Sequence, residues 1–290
     1  MTPHTCNLCG SPAPTRPLFS MDGFDLLRCP RCELVYVGNP PSGDDLQKLY
    51  SFESGYQKEL VEDPISTAFH HDEAARNLSL LQKHAMPGRL LDVGCSTGLF
   101  LSAARKAGWQ ARGVEYSADS SRVAREVYGQ DVVTGALEPG MFEPGSFDVV
   151  TFWDVIEHVP DPSYTLGVAA QLLAPGGLMV LKTPNVDGLF PKASLAVAGR
   201  LGFWRHPEPP GHLFQFSVKT LSALAVKAGL SPRTTVHQRI PLAYSFGTPR
   251  QWLRSTKWAA YCAAFVPTAV IGPWLGSGDD ITLVAERPRA

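Results

Sequence analysis

The run Leu90-Leu-Asp-Val-Gly-Cys-Ser-Thr-Gly98 decides the fold: a short apolar strand enters a turn of small residues and an amphipathic helix follows. Small residues let a ligand approach the backbone, and the helix N-terminus offers free N–H donors. Gly94 and Gly98 do not fit the G-x-G-x-x-G spacing, so the turn is not a dinucleotide fingerprint. Outward from this run, β-rich stretches at 89–94, 110–115, 131–134, 147–153 and 177–183 alternate with helical stretches near 98–108, 117–128 and 161–173. That alternation predicts an α/β fold with a parallel sheet covered on both faces and a ligand at the carboxyl ends of its strands. The second strand ends at Glu115, 21 residues after Gly94, where a carboxylate can accept both hydroxyls of a ribose. A nucleoside ligand is the leading expectation.

Four motifs in order then carry a resemblance. They are Leu-Leu-Asp-Val-Gly-Cys-Ser-Thr-Gly at 90–98, Gly-Val-Glu-Tyr-Ser at 113–117, Phe-Asp-Val-Val-Thr-Phe-Trp-Asp-Val-Ile-Glu-His-Val-Pro-Asp-Pro at 147–162 and Leu-Leu-Ala-Pro-Gly-Gly at 172–177. Residues 90–187 resemble the core of class I S-adenosylmethionine-dependent methyltransferases. The likeness extends through Gly211-His-Leu-Phe-Gln-Phe-Ser217, which is typical of the broad family containing ubiquinone-type O-methyltransferases and many sugar or natural-product enzymes. It implies a Rossmann-like fold whose seven-stranded, mostly parallel sheet has an antiparallel last strand, and S-adenosylmethionine as cofactor. It also implies that Asp92, Gly94, Cys95 and Gly98 line the methionine side, and that Glu115, with Tyr116 beside it, holds the ribose. The segment 134–137, ending at Leu137, would flank the adenine, and Trp153 and Asp154 would border the reactive methyl. Ser96 departs from the pattern, which usually has glycine there. Cys95 reads as a packing residue rather than a nucleophile, since no base accompanies it.

Methyl transfer from a sulfonium is an in-line displacement that asks mainly for alignment and exclusion of water. A hydroxyl acceptor must also lose a proton, for which a histidine near neutral pKa is suited. His158 follows the fourth strand and His212 closes the proline-rich loop Trp204-Arg-His-Pro-Glu-Pro-Pro-Gly-His212 after the fifth; His206 sits in the same loop. Both His158 and His212 are candidate bases. Glu-His-Val at 157–159 is widespread among methyltransferases of different chemistry, so a structural role for His158 stands beside the catalytic one.

Cys6-x2-Cys9 and Cys29-x2-Cys32 are separated by 19 residues, the spacing of a four-thiolate zinc ribbon. A closed set of four thiolates leaves no open position, so the expected Zn2+ is structural. The alternative, two disulfides in an exported module, is disfavoured because the opening Met-Thr-Pro-His-Thr-Cys shows no basic, then apolar, leader; the expected compartment is the cytoplasm. Residues 1–50 hold four bases and five acids, which argues against a ribbon that tracks phosphates. Nucleic acid is not an expected partner, and an RNA methyltransferase is the alternative this balance opposes. A non-catalytic assembly protein that binds S-adenosylmethionine is a second alternative, opposed by intact Asp92, Gly94, Glu115 and Asp154.

These readings divide the 290 residues into a ribbon at 1–38, a linker with helices at 39–86 and a methyltransferase domain at 87–290. A helix over 67–85 should lead into that domain, and Tyr50, Phe52 and Tyr56 before it could face a ligand or simply pack. Charged residues are only 18% of the chain against a typical ~25%. Residues 219–290 carry +6 and residues 1–218 carry −7. The apolar insertion 241–280 lies between two expected closing strands, 233–240 and 281–286, and its residues 258–278 are uncharged behind Arg250, Arg254 and Lys257. Pro267, Gly272 and Pro273 argue against one continuous helix there. Peripheral membrane contact on the inner face, a lid or homodimer contact, and internal packing remain three open roles for it; the apolar stretch 189–204 could join the same surface. The expected acceptor is a small molecule, with a sugar, glycan or lipid-linked compound fitting the basic, apolar C-terminal region.

Overall fold

A computed structural model describes residues 5–49, 64–252 and 255–289. Tyr50, Phe52 and Tyr56 lie outside them.

The N-terminal lobe opens with β1 (Phe19–Met21), β2 (Phe24–Arg28) and β3 (Val35–Val37). Met21 pairs with Phe24 across Asp22-Gly23, both at positive φ (52° and 83°). Asp-Gly at those two positions suits the tight turn whose twist matches the paired strands. β3 is buried at all three residues because it has a neighbour on each edge. On one side is β2; on the other is β9 (Phe214–Gln215), with Val35 opposite Gln215 and Tyr36 opposite Phe214. The lobe therefore draws its fourth strand from residues far along the chain. Leu26, Val35 and Val37 share a core with Val186, Ala198 and Trp204.

Helices α1 (Gly43–Leu49) and α2 (Pro64–Leu81) lead to the main sheet. α2 ends four residues before the expected Ala85, and residues 82–84 form a turn. The sheet contains β4 (Arg89–Val93), β5 (Gln110–Glu115), β6 (Val132–Thr134), β7 (Phe147–Trp153), β8 (Leu173–Pro184), β10 (Ser231–Gln238) and β11 (Asp280–Glu286). Its order is β10-β11-β8-β7-β4-β5-β6. β4 to β8 run parallel, and β11 is antiparallel to both of its neighbours. This is the seven-stranded, mostly parallel arrangement expected from the sequence. β8 starts earlier than the predicted 177, and the pairing with β7 shifts register between Phe147 and Val149, opposite the Pro175-Gly176-Gly177 stretch.

Both sheet faces are apolar because helices cover both. Leu90, Val149, Val180 and Val284 face α2 and two further helices, α3 (Leu99–Lys106) and α4 (Ala118–Glu126). Leu91, Val150, Leu181 and Leu283, one residue away along each strand, face α5 (Pro162–Leu172) and α7 (Val218–Lys227). Caps fix where the helices begin: Ser117 accepts from Ser120 N, Asp161 from Tyr164 N, and Ser217 forms a reciprocal capping box with Thr220. α6 (Leu189–Leu201) lies between β8 and the proline-rich loop.

The insertion between β10 and β11 is helical: α8 (Leu242–Phe246), α9 (Pro249–Trp252), α10 (Thr256–Ile271) and a 3₁₀ turn at Gly272–Leu275. The expectation that its prolines interrupt it holds at Pro273 and fails at Pro267, which sits inside α10. One lost backbone bond is outweighed by packing, since Tyr261, Cys262 and Ala269 are buried with Phe190 of α6 and Phe246 of α8.

Candidate active site

The carboxyl ends of β4, β5, β7 and β8 surround a cavity of ≈ 550 Å³, lined among others by Asp92, Gly94, Cys95, Ser96, Glu115, Tyr116, Leu137, Trp153, Asp154, His158, His206 and His212. Ten of the eleven cofactor and catalytic residues expected from the sequence are thereby brought together. Gly98 is not among the lining residues. It starts α3 at φ 82°, and a Cβ there would lie 3.1 Å from that of Ala124. Its smallness serves helix packing.

Asp92 ends β4, and Thr151 Oγ1 donates to its Oδ1 over 2.7 Å. Burial pushes this carboxyl up to about 8 against the pull of Thr151. Gly94 turns at φ 73°, and a Cβ would come within 2.5 Å of Val155 Cγ2. Ser96 holds the left-handed φ of 49° that explains the usual glycine. Its N–H donates to Glu115 Oε2 (2.8 Å), while Ser117 N–H donates to Oε1 (2.7 Å). Glu115 thus ties the first strand's loop to the second's, and burial still holds its pKa above the ordinary value. Cys95 is buried against Gly113, where a Cβ would meet its sulfur at 2.5 Å, and burial raises its thiol pKa, in keeping with a packing role.

At the end of β7, Trp153 packs edge-on to Phe100 and its buried Nε1 has no partner among the described residues. Asp154 adopts φ 55° and pairs with Lys182 at 2.5 Å. Lys182 also meets Glu73 of α2 (2.9 Å) and Asp280 of β11 (3.6 Å). Burial alone would favour its neutral form, but three carboxylates hold its pKa well above the ordinary value. Burial would raise Glu73 too, yet His70 and Lys182 bring it down to about 2. Sequence reasoning missed this network. The available signal was one lysine inside the apolar run Leu178-Met-Val-Leu-Lys182.

In the loop after β7, His158 meets His212 ring to ring at 4.7 Å with the planes 74° apart. His158 Nδ1 lies 2.9 Å from the Gly211 carbonyl, which fixes Nδ1 as donor and Nε2 as the basic nitrogen of the neutral ring. Burial lowers the pKa of both rings, and His158 and His206 lower that of His212 further. His206 is buried outright and brought down to about 3. Ligating atoms of Glu157, His158 and His212 lie within 4.8 Å of one another. Neither Glu157 oxygen has a well-formed hydrogen bond among the described residues, and burial holds its pKa well above the usual range. Tyr244 of α8 donates to Glu208 (3.0 Å), and both line the cavity. Glu157 and Glu208 sit in the Glu-His-Val motif and the proline-rich loop, but no signal marked them, or Tyr244, as functional residues.

Residues 67–235 match the family described as methyltransferase domain. The chain belongs to this family.

The methyltransferase is 32% identical over 184 residues to the ubiquinone biosynthesis O-methyltransferase of Bordetella bronchiseptica, covering 58% of this chain and 75% of that one. It is 38% identical over 108 residues to the protein of that description from Xanthomonas campestris pv. campestris, covering 35% and 45%. Thus the chain spans under half the length of the latter relative. Among solved structures, it resembles a SAM-dependent methyltransferase from Thermotoga maritima (TM-score 0.54, 18% identity, 85% and 100% covered). Another, from Archaeoglobus fulgidus, gives a TM-score of 0.50 at 17% identity over 73% and 92%. These identities speak to fold alone.

The methyltransferase cavity fits S-adenosylmethionine. Glu115 keeps lone pairs for a ribose beyond its two backbone donors, and Ser96 Oγ and Trp153 Nε1 are buried polar atoms without a partner among the described residues. The four N-terminal cysteines converge as well: their sulfurs lie within 4.8 Å of one another, with Cys6–Cys32 and Cys9–Cys29 at 3.5 Å. Thiolates ~2.3 Å from one tetrahedral ion stand about 3.8 Å apart, so the donor set suits Zn2+.

Proposed function

We propose that the protein transfers a methyl group from S-adenosylmethionine to a small-molecule acceptor whose attacking atom carries a proton. The single observation that carries this reading is the His158–His212 pair, neutral by its lowered pKa values and facing the same cavity as Asp92, Glu115 and Asp154. S-adenosylmethionine, when bound, supplies an electrophilic methyl on a sulfonium. Glu115 holds the ribose, the segment 134–137 flanks the adenine, and Asp92 and Trp153 position the methionine end. Lys182 keeps Asp154 in place at the border between cofactor and acceptor. His212 takes the acceptor's proton, and His158, anchored through Nδ1 on Gly211, supports it from the side.

The name of the relatives supports an oxygen acceptor. A sugar, glycan or lipid-linked compound is the finer reading, supported by the basic, apolar region beyond residue 219. Structural Zn2+ on Cys6, Cys9, Cys29 and Cys32 completes the proposal. Incubation with labelled S-adenosylmethionine and fractionated cell extract, followed by mass analysis, tests it. Label in a small-molecule, glycan or lipid fraction is expected; label confined to RNA overturns it.

A further inference from the structure

The face that α10 turns outward is unlike that of a helix meeting water. Exposed positions recur at Lys257, Ala260, Ala264, Pro267, Ile271 and Trp274, a three-then-four spacing that keeps them on one side, and Lys257 is the one charge among them. A solvent-facing stripe normally carries polar and charged residues. At its far end Ile271 is 47% exposed, Leu275 67% and Trp274 90%. The inner face is committed to protein through Tyr261, Cys262 and Ala269, so α10 cannot be ringed by lipid as a spanning helix would be.

Two observations select what covers this face. First, charge: the insertion 241–278 holds Arg250, Arg254 and Lys257 and no acid, with Arg250 and Lys257 exposed at the start of the stripe and exposed Arg205 stacked 5.5 Å over Trp258. Such a segment complements an anionic surface. Second, side-chain type: a seam between two copies wants branched aliphatic knobs at each position, whereas two alanines and a proline occupy the middle here. Tryptophan and isoleucine at one end and basic residues at the other instead suit an amphipathic helix lying in a headgroup layer.

We propose that the outer face of α10 and its 3₁₀ turn docks on an anionic lipid surface, with Ile271, Trp274 and Leu275 at the acyl boundary and Arg250 and Lys257 among the headgroups. Tyr244 of the same insertion lines the cavity, so docking brings the acceptor site close to the bilayer. That last consequence rests on the proposed methyl transfer; the docking itself does not.

The test is flotation of the full chain, without S-adenosylmethionine, on vesicles of phosphatidylglycerol mixed with phosphatidylcholine and on phosphatidylcholine alone. Binding to the anionic vesicles is expected, weakened by high salt and by omission of phosphatidylglycerol. Trp274→Ser combined with Leu275→Ser should weaken it about a hundredfold, and Lys257→Glu about tenfold. Thermal midpoints of these surface variants should match the parent, separating lost docking from lost folding. Failure of the parent chain to float with anionic vesicles overturns the proposal. So does recovery from membranes only with detergent, or a dimer in sedimentation equilibrium that Trp274→Ser dissociates while vesicle binding stays unchanged.

Discussion

The N–H of Val37 donates to the carbonyl of Leu213 over 2.9 Å, bonding the cysteine-bearing lobe to the residue that follows His212. From the other side, Leu213 and Phe214 both donate to the carbonyl of Glu157. The loop that presents His212 is thus clamped between the lobe and the end of β7. Cys29→Ser should therefore lower turnover although no cysteine of the lobe lines the cavity. A displacement of about 1 Å in a reacting group can cost ~100-fold. Affinity for S-adenosylmethionine, which the proposed function assigns to the Glu115 side of the cavity, should change much less; calorimetric titration beside steady-state rates separates the two.

His212→Gln should leave cofactor affinity intact and lower turnover by at least about a hundredfold, the usual contribution of general base catalysis. His158→Gln, which keeps a donor for Gly211, should lower it less. Single-turnover rates with the true acceptor distinguish these outcomes, and an unchanged His212→Gln rate would remove the base assignment.

Three histidines held neutral by burial give the fold a defined acid limb. Their folded pKa values lie below the unfolded 6.5, so the unfolded chain binds more protons once the pH drops under that value. Stability is full above 6.5 and declines as pH falls towards the folded pKa values. For His206, brought down to about 3, the loss one pH unit below 6.5 is about 1.4 kcal/mol. Thermal midpoints should fall over this window, and His206→Leu should flatten the decline.

Gly94→Ala and Ser96→Gly should move in opposite directions. The alanine methyl would press on Val155 at a φ of 73°, costing on the order of 1–3 kcal/mol and closing part of the cofactor cradle. Glycine at 96 relieves a φ of 49° and removes a buried hydroxyl that has no partner among the described residues, for a gain of about 1 kcal/mol. Urea midpoints check both; cofactor binding should drop strongly in Gly94→Ala and modestly in Ser96→Gly, which gives up a buried hydroxyl that lines the cavity.

Lys182→Met should destabilise by about 3–5 kcal/mol, because Asp154, Glu73 and Asp280 would then crowd one another without a cation. Lys182→Arg should recover part of this loss. Denaturant unfolding of the two variants provides the comparison.

The sheet was legible because parallel strands covered on both faces read as short apolar runs, and Leu90-Leu91 and Val149-Val150 supply a residue to each face. The placement of Glu115 at the cavity and the convergence of the four cysteines were legible because both follow from spacing. What sequence could not show is contact between distant segments. Lys182 finds Glu73 across 109 residues, and no local pattern announces that meeting. Phe214 and Gln215 form a strand of only two residues, stable because β3 is waiting beside it. Gly98 packs close to Ala124 and does not line the cavity; a glycine for ligand approach and one for helix packing look alike in sequence. Pro267 misled because the rule against proline in helices weighs one hydrogen bond, while burial of Tyr261 and Cys262 acts on the whole helix.

The pairing of β3 with β9 also bears on the order in which the molecule can assemble. Val35 leaves the ribosome roughly 180 residues ahead of Gln215, which at 5–20 residues per second is an interval of about 10–40 s. Throughout it, β3 can pair with β2 while the edge that later takes Gln215 stays open. An edge of that kind invites pairing with other nascent chains. Its brevity, three residues, is then a safeguard during synthesis as much as a property of the finished protein.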